Sequence, residues 1–350
     1  MIPNLNIIKV LSLTFLSFTF AMLITPLLTH FLFKYRLVKN IRQDGKTPIF
    51  SRLHKSKEGT PTMGGILIWG TVLLVSLVFY YLAKVFPESF LVDLNFITRK
   101  ETLLPLGAFI ASALVGLLDD WFNIIRQGGG KGGGLTVKHR LFIYALIAIF
   151  GSWWFYVKLD FDFIRIPFMG LVNLGWYFIP FFIFIIIATA FSVNEADGLD
   201  GLAGGIVLAA FSAYGTIAFM QGSYNLATFC GVISGALLAF LWFNINPARF
   251  FMGDTGAMSL GIALGIVAIL TGYPLLLPII GFILLLESLS VIIQVLSKKV
   301  RKKKVFLSAP IHHHFEAKGW PETKVVMRFW VISAVTAVLG LIIAIIDMNL

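Results

Sequence analysis

Three acidic stretches interrupt a chain that is otherwise largely apolar. Gly116 to Trp121 reads GLLDDW, Ser192 to Gly205 reads SVNEADGLDGLAGG, and Gly253 to Gly256 reads GDTG. A carboxylate at the centre of a bilayer costs about 2.5 to 3.5 kcal/mol on insertion scales, so Asp119, Asp120, Asp197, Asp200 and Asp254 belong at a membrane boundary or in a wet cavity. Carboxylates brought together repel one another unless a cation intervenes. Their chemistry therefore calls for positive charge, whether a basic side chain or a metal ion.

The elements that must carry these acids are apolar helices. Hydrophobic residues make up 58% of the 350 and charged residues 13%, and mean hydropathy is +0.89. An ordinary soluble domain has about a quarter of its residues charged. Runs of about 17 to 25 apolar residues favour membrane-spanning helices over a barrel, whose strands would be short and alternate in polarity. The chain is expected to be an all-α integral membrane protein, one polytopic domain over 1–350. Ten spans are predicted, near 8–33, 64–86, 102–118, 139–157, 172–191, 202–220, 226–243, 256–272, 274–296 and 325–347. The first is too long for a signal-peptide core and should remain as a span. The one cysteine, Cys230, falls inside a span and forms no intrachain disulfide.

The loops at 34–62, 119–140, 191–202, 242–257 and 297–325 hold 21 of the 28 Lys and Arg residues. The positive-inside rule places these loops in the cytoplasm and both termini outside. It also accounts for the net charge of +11 without nucleic acid. All three acidic stretches fall at or beside these loops, so the candidate active site lies at the cytoplasmic face.

The same loops offer partners for anions. The first ends in HKSKEGTPTMGG, where Lys57, Thr60 and glycine amides are donors suited to phosphate. Lys131 and Lys138 lie across a glycine tract from Asp119 and Asp120, whose place at the end of the third span is opposed by the helix dipole and asks for a cation. In NINPARFFMGDTG, Asn244 offers an amide and Phe251 a ring face, and Asp254 reads equally well as a plain N-cap. His312, His313 and His314 are adjacent, cannot face one point of a helix and have no cysteine partner, which argues against structural zinc and for hydrogen bonds to phosphate or sugar oxygens. Oxygen ligands for a hard cation, donors for phosphates and a ring for a base outline phosphoryl transfer between a soluble and a lipid-borne reactant.

The segments HKSKEGTPTMGG, GLLDDW, NEADGLDGLAGG, NINPARFFMGDTG and APIHHHFEAKGW resemble the hallmark motifs of the phospho-N-acetylmuramoyl-pentapeptide transferase family, within the polyprenyl-phosphate N-acetylhexosamine-1-phosphate transferases. The resemblance implies a bacterial cytoplasmic-membrane enzyme of peptidoglycan synthesis. Its substrates would be UDP-N-acetylmuramoyl-pentapeptide and undecaprenyl phosphate, its products lipid I and UMP, and its cofactor magnesium. It implies Asp119 and Asp120 as the catalytic acidic pair, and Asp254 as the magnesium ligand with one of that pair as a second. His312 would be catalytic, and Asn194, Asp197, Leu199 and Asp200 would line the nucleotide and diphosphate cleft. Phe251 would stack on the base, and Lys57, Thr60, Lys131, Lys138, Asn244, His313 and His314 would contact substrate. A homodimer is a family-level expectation.

The chain departs from the family at Glu195-Ala196, where a hydrophobic residue and a threonine are usual, in an extension around Thr47 to Arg52, and in the tract Gly128 to Gly134. That tract leaves open whether Lys131 or Lys138 takes the phosphate role. Two other functions stay open: a sister transferase using UDP-N-acetylglucosamine, and a transporter. Against a transporter stands the clustering of charge at one face, since such sites lie near the bilayer midplane.

Overall fold

A computed structural model describes residues 3–38, 57, 59–98, 101–128 and 133–350. Lys131, its neighbours in the tract at 129, 130 and 132, and the extension at 47–52 lie outside the described residues.

Among the described residues twelve helices organise the fold: α1 (Pro3–Lys34), α2 (Gly65–Val85), α3 (Leu103–Ile124), α4 (Val137–Trp153), α5 (Phe178–Ala196), α6 (Leu202–Met220), α7 (Tyr224–Asn244), α8 (Gly253–Leu270), α9 (Leu277–Ile280), α10 (Phe282–Val300), α11 (Ile311–Ala317) and α12 (Glu322–Met348). A single turn, Leu91–Leu94, adds to the link between α2 and α3. Nine described helices are long and apolar enough to cross a membrane, and the pair 274–280 and 282–300, bent by 85°, makes up to ten if it counts as one span. The predicted ninth span is thus not one straight rod. It breaks at Gly281, after Pro274 and Pro278 have set short helical turns and removed backbone donors.

The all-α expectation holds apart from one hairpin. Phe163–Ile166 (β1) and Gly170–Asn173 (β2) pair antiparallel, with Phe163 opposite Asn173. The fifth span accordingly begins only after this hairpin. Asp347, near the end of α12, accepts hydrogen bonds from Arg165 Nε at 2.5 Å, from the Phe168 backbone N–H at 2.5 Å and from the Tyr273 hydroxyl at 2.6 Å, fastening the hairpin to the bundle.

The bundle is built around α8, in which every residue from Gly253 to Ile269 is buried. Its sequence, GDTGAMSLGIALGIVAIL, has no polar face for water, as a helix enclosed on all sides requires. Helix α8 packs on α3, α5 and α2. Small residues permit this: a Cβ at Gly116 of α3 would lie 2.6 Å from Thr255 Cα, and one at Gly261 would lie 2.6 Å from Ala190 Cα. Close backbone approach at small residues is the usual basis of helix packing in lipid, where lipid tails remove the hydrophobic drive for helices to associate. The outward positions, such as Leu11, Phe15, Leu23, Trp242 and Val331, are large, apolar and exposed.

Candidate active site

Helix α3 continues past the predicted boundary to Ile124, so Asp119 and Asp120 lie inside the helix, more than a turn before its end. Both are fully buried. What makes this tolerable is a set of donors from three other segments. Asp120 accepts from the backbone N–H groups of Asp254 and Thr255, each at 3.1 Å, and Thr62 Oγ1 is 3.5 Å away. Asp254 is therefore not an N-cap: that place belongs to Met252, which provides no side-chain cap, and the Asp120 carboxylate satisfies the start of α8 from outside. Gly253 has φ +76°, and a Cβ there would meet Asp120 Oδ2 at 2.5 Å, so the turn into α8 favours glycine on both counts.

Asp119 accepts from the Leu135 backbone N–H at 2.5 Å and pairs with Arg140 Nε at 2.7 Å. The same guanidinium donates from Nη2 to Asp254 at 2.9 Å and from Nη1 to the Asn194 amide oxygen at 2.9 Å. Asn194 in turn donates to Asp254 Oδ1 at 2.8 Å. Ends of α3, α4, α5 and α8 thus converge on one charged cluster. Among the described residues Arg140 is the cation there, a residue the sequence reading passed over for Lys131 and Lys138, of which Lys138 is exposed on the opposite flank of the first turn of α4. Thr136 accepts from the His139 N–H at 3.4 Å and sets the start of α4, which phases Arg140 inward.

A second cluster adjoins it. Lys57 lies 2.7 Å from Asp200 and 2.5 Å from Glu322, and 5.9 Å from the centroid of the half-buried Phe251 ring. Asp200 also accepts from Asn246 at 3.0 Å and from the Ala248 N–H at 3.1 Å. Glu322 and Asn246, absent from the predicted set, complete this group. Asn244 joins the two loops: it accepts from the Gly201 N–H at 2.9 Å and donates to the Phe250 carbonyl at 2.8 Å. Its amide is engaged in positioning and is buried. Thr60 donates its backbone N–H to the Lys57 carbonyl at 3.2 Å, closing the turn that presents Lys57. Asp197 caps the end of α5 and is half-buried, lying in the chain between Asn194 of the first cluster and Asp200 of the second. Leu199 is 4% exposed and packs in the core, so its side chain is not part of a cleft wall.

The three histidines take different partners along α11, although the rings of His312 and His313 stay in edge contact with centroids 4.0 Å apart. His312 is fully buried against Glu287 at 2.9 Å, so the group expected to be catalytic faces the interior. His313 lies 2.6 Å from Glu316. His314 Nδ1 accepts from the Leu307 N–H at 3.2 Å, and burial with Lys318 nearby pushes its imidazole below the ordinary value, leaving it neutral near pH 7.

The donor set suits a hard divalent cation. Asp119 and Asp254 bring two carboxylates to the guanidinium of Arg140, and Asp120 stands next to them on the Asp254 backbone N–H, so oxygen ligands are gathered at one point. Among the described residues no ready-made cage of three His, Cys, Asp or Glu side chains exists. Magnesium needs none, since it binds through one or two carboxylates, waters and substrate phosphates.

Residues 102–272 match the family model described as glycosyl transferase family 4. Residues 57–68 match the model described as phospho-N-acetylmuramoyl-pentapeptide-transferase signature 1. A phospho-N-acetylmuramoyl-pentapeptide-transferase of Chloroflexus aggregans is 37% identical over 351 residues, covering 97% of this chain and 90% of the relative. Relatives of the same name from Geobacillus sp. (39% over 331 residues, 94% and 95% covered) and Clostridium perfringens (38% over 329 residues, 93% and 96% covered) are similar along nearly their whole lengths. The chain belongs to the phospho-N-acetylmuramoyl-pentapeptide-transferase family. In this transferase the signature segment runs from Lys57 to Ile68, and its middle pairs with the fourth loop: the Phe251 N–H donates to the Pro61 carbonyl at 2.8 Å, and Gly64 and Gly65 donate back to Phe251 and Met252. The glycosyl transferase region contains Asp119, Arg140, Asn194, Asp200 and Asp254.

Proposed function

We propose that the chain transfers phospho-N-acetylmuramoyl-pentapeptide from its UDP-linked form to undecaprenyl phosphate at the inner face of a bacterial cytoplasmic membrane, yielding lipid I and UMP. The observation that carries this reading is the meeting of Asp119, Asp254, Asn194 and Arg140 beside the Lys57, Asp200 and Phe251 group. An acidic centre next to a cation and a half-buried ring suits a reaction between a nucleotide diphosphate and an anionic acceptor. The loops that meet at this end of the bundle are the ones rich in Lys and Arg, which supports a cytoplasmic site and outward termini.

Asp254, with Asp119 alongside, would hold magnesium, which when bound neutralises charge on the diphosphate. Asn194 orients Asp254, and Arg140 keeps Asp119 and Asp254 together. Phe251 and Lys57 offer a stacking face and a charge to the nucleotide. A phosphate monoester has its second pKa at about 6, so the lipid phosphate is mostly dianionic at neutral pH and needs little help from a base. In the direct route its oxygen bonds to the sugar-linked phosphorus, the bond from that phosphorus to the bridging oxygen breaks, and UMP leaves with that oxygen. Asp119 then orients the acceptor.

The test is purified protein given UDP-N-acetylmuramoyl-pentapeptide, undecaprenyl phosphate and magnesium. The expected result is UMP release matched by lipid-linked product and abolished by chelation. Transfer from UDP-N-acetylglucosamine instead, or no prenyl-linked product, would overturn the assignment. Inversion at phosphorus supports the direct route, and retention replaces it with a covalent intermediate on an aspartate.

A further inference from the structure

Glu287 is the sole acid in the apolar run from Pro274 to Val300. It stands six residues after the break at Gly281 and is fully buried, as is His312. Its Oε2 is 2.9 Å from His312 Nδ1. The other carboxyl oxygen, Oε1, is buried with no hydrogen-bond partner among the described residues, so His312 Nδ1 is the hydrogen-bond partner that the Glu287 carboxyl meets there. A buried carboxylate facing an imidazole accepts from the nearer nitrogen, which then carries the ring's proton. The far nitrogen of the ring, Nε2, then rests against Gly198, where any Cβ would overlap it.

The next residue along α10 makes a matching contact. Ser288 Oγ lies 2.5 Å from Ser192 Oγ. Ser288 directly, and Glu287 through His312, thus meet the two ends of the segment that carries Asn194 and Asp197, and Asn194 is the residue that bonds Asp254 and Arg140.

We infer that Glu287 is a positioning residue of the active site: it holds His312 as the Nδ1–H tautomer, seats the ring under Gly198 and, with Ser288, fixes Asn194 against Asp254. Partners that orient a site residue from behind in this way typically carry about 10- to 100-fold in activity when removed.

The test uses full-length protein labelled with ¹⁵N-histidine in lipid bilayers, with His312→Gln assigning the His312 signals by magic-angle-spinning NMR. The expected spectrum has the proton on Nδ1, giving way to the Nε2–H form or a mixture in Glu287→Leu. Glu287→Gln, whose amide oxygen can accept the same proton, keeps the parental tautomer and turnover within about threefold, whereas Glu287→Leu loses about tenfold or more in kcat. A parental His312 protonated on Nε2, an unchanged tautomer in Glu287→Leu, or a Gln variant as impaired as the Leu variant would each overturn the assignment. If Glu287→Leu does not fold, the parental tautomer and the Gln variant still decide. The turnover arm rests on the transferase reading and the tautomer arm does not, so the expected tautomer in a protein that makes no lipid product would count against that reading alone.

Discussion

The carboxylate of Asp120 accepts the backbone N–H groups of Asp254 and Thr255, so one acid of the adjacent pair holds the helix that carries the third acid. Two neighbouring aspartates thereby have different work. Asp119 meets Arg140 in the charged cluster, and Asp120 supplies the cap that α8 lacks in its own sequence.

Asp120→Asn turns an amide N–H₂ toward backbone donors that need an acceptor. The expected cost is about 1 to 2 kcal/mol of stability together with most of the turnover, because the first turn of α8 shifts and Asp254 with it. Thermal unfolding in detergent and UMP release check this. Lost activity at an unchanged Tm would remove the capping role.

Arg140→Gln leaves Asp119 and Asp254 facing one another without their shared cation. The variant should unfold at lower temperature than the parent in chelator, and the gap should narrow in millimolar magnesium, since an ion bound only by the folded state stabilises it. Lys138→Gln, on the exposed flank, should show a far smaller loss in both stability and turnover. Equal losses in the two variants would return the role to Lys138.

Glu322→Gln weakens the hold on Lys57, which it shares with Asp200 at 2.5 and 2.7 Å. The prediction is a KM for the UDP-linked substrate raised about tenfold, with kcat changed less, since an interaction made equally in ground and transition states acts on binding. A pure loss of kcat would place Glu322 in the chemistry instead.

Asp347→Ala removes the acceptor shared by Arg165, Tyr273 and the Phe168 N–H at the far end of the bundle. Stability should fall by about 1 to 3 kcal/mol, seen as a lower Tm. Turnover of the folded fraction should stay near the parental value, and its loss would mean that the two ends are coupled.

The spans and the acid-bearing loops were legible in the sequence because membrane length and the cost of buried charge leave few arrangements. The choice of cation was not. Lys138 and Arg140 stand two residues apart, and the start of α4 at Val137 is what turns Arg140 toward Asp119. Asp119 and Asp120 looked like a helix end because the donors that permit their burial lie at Leu135, Arg140, Asp254 and Thr255, far along the chain. Glu287 was hidden for the same reason: its partner is 25 residues away, and the run around it reads as lipid-facing. The hairpin at 163–173 escaped notice because four-residue strands carry little periodicity.

The enclosure of α8 on every side has a mechanical consequence. Asp254 is mounted on the most deeply enclosed span among the described helices, with no lipid-facing flank along which that post could slide or tilt. Delivery must therefore be the task of the reactants: the carrier brings its headgroup in from the leaflet and the nucleotide enters from the water, each docking onto a platform that stays still.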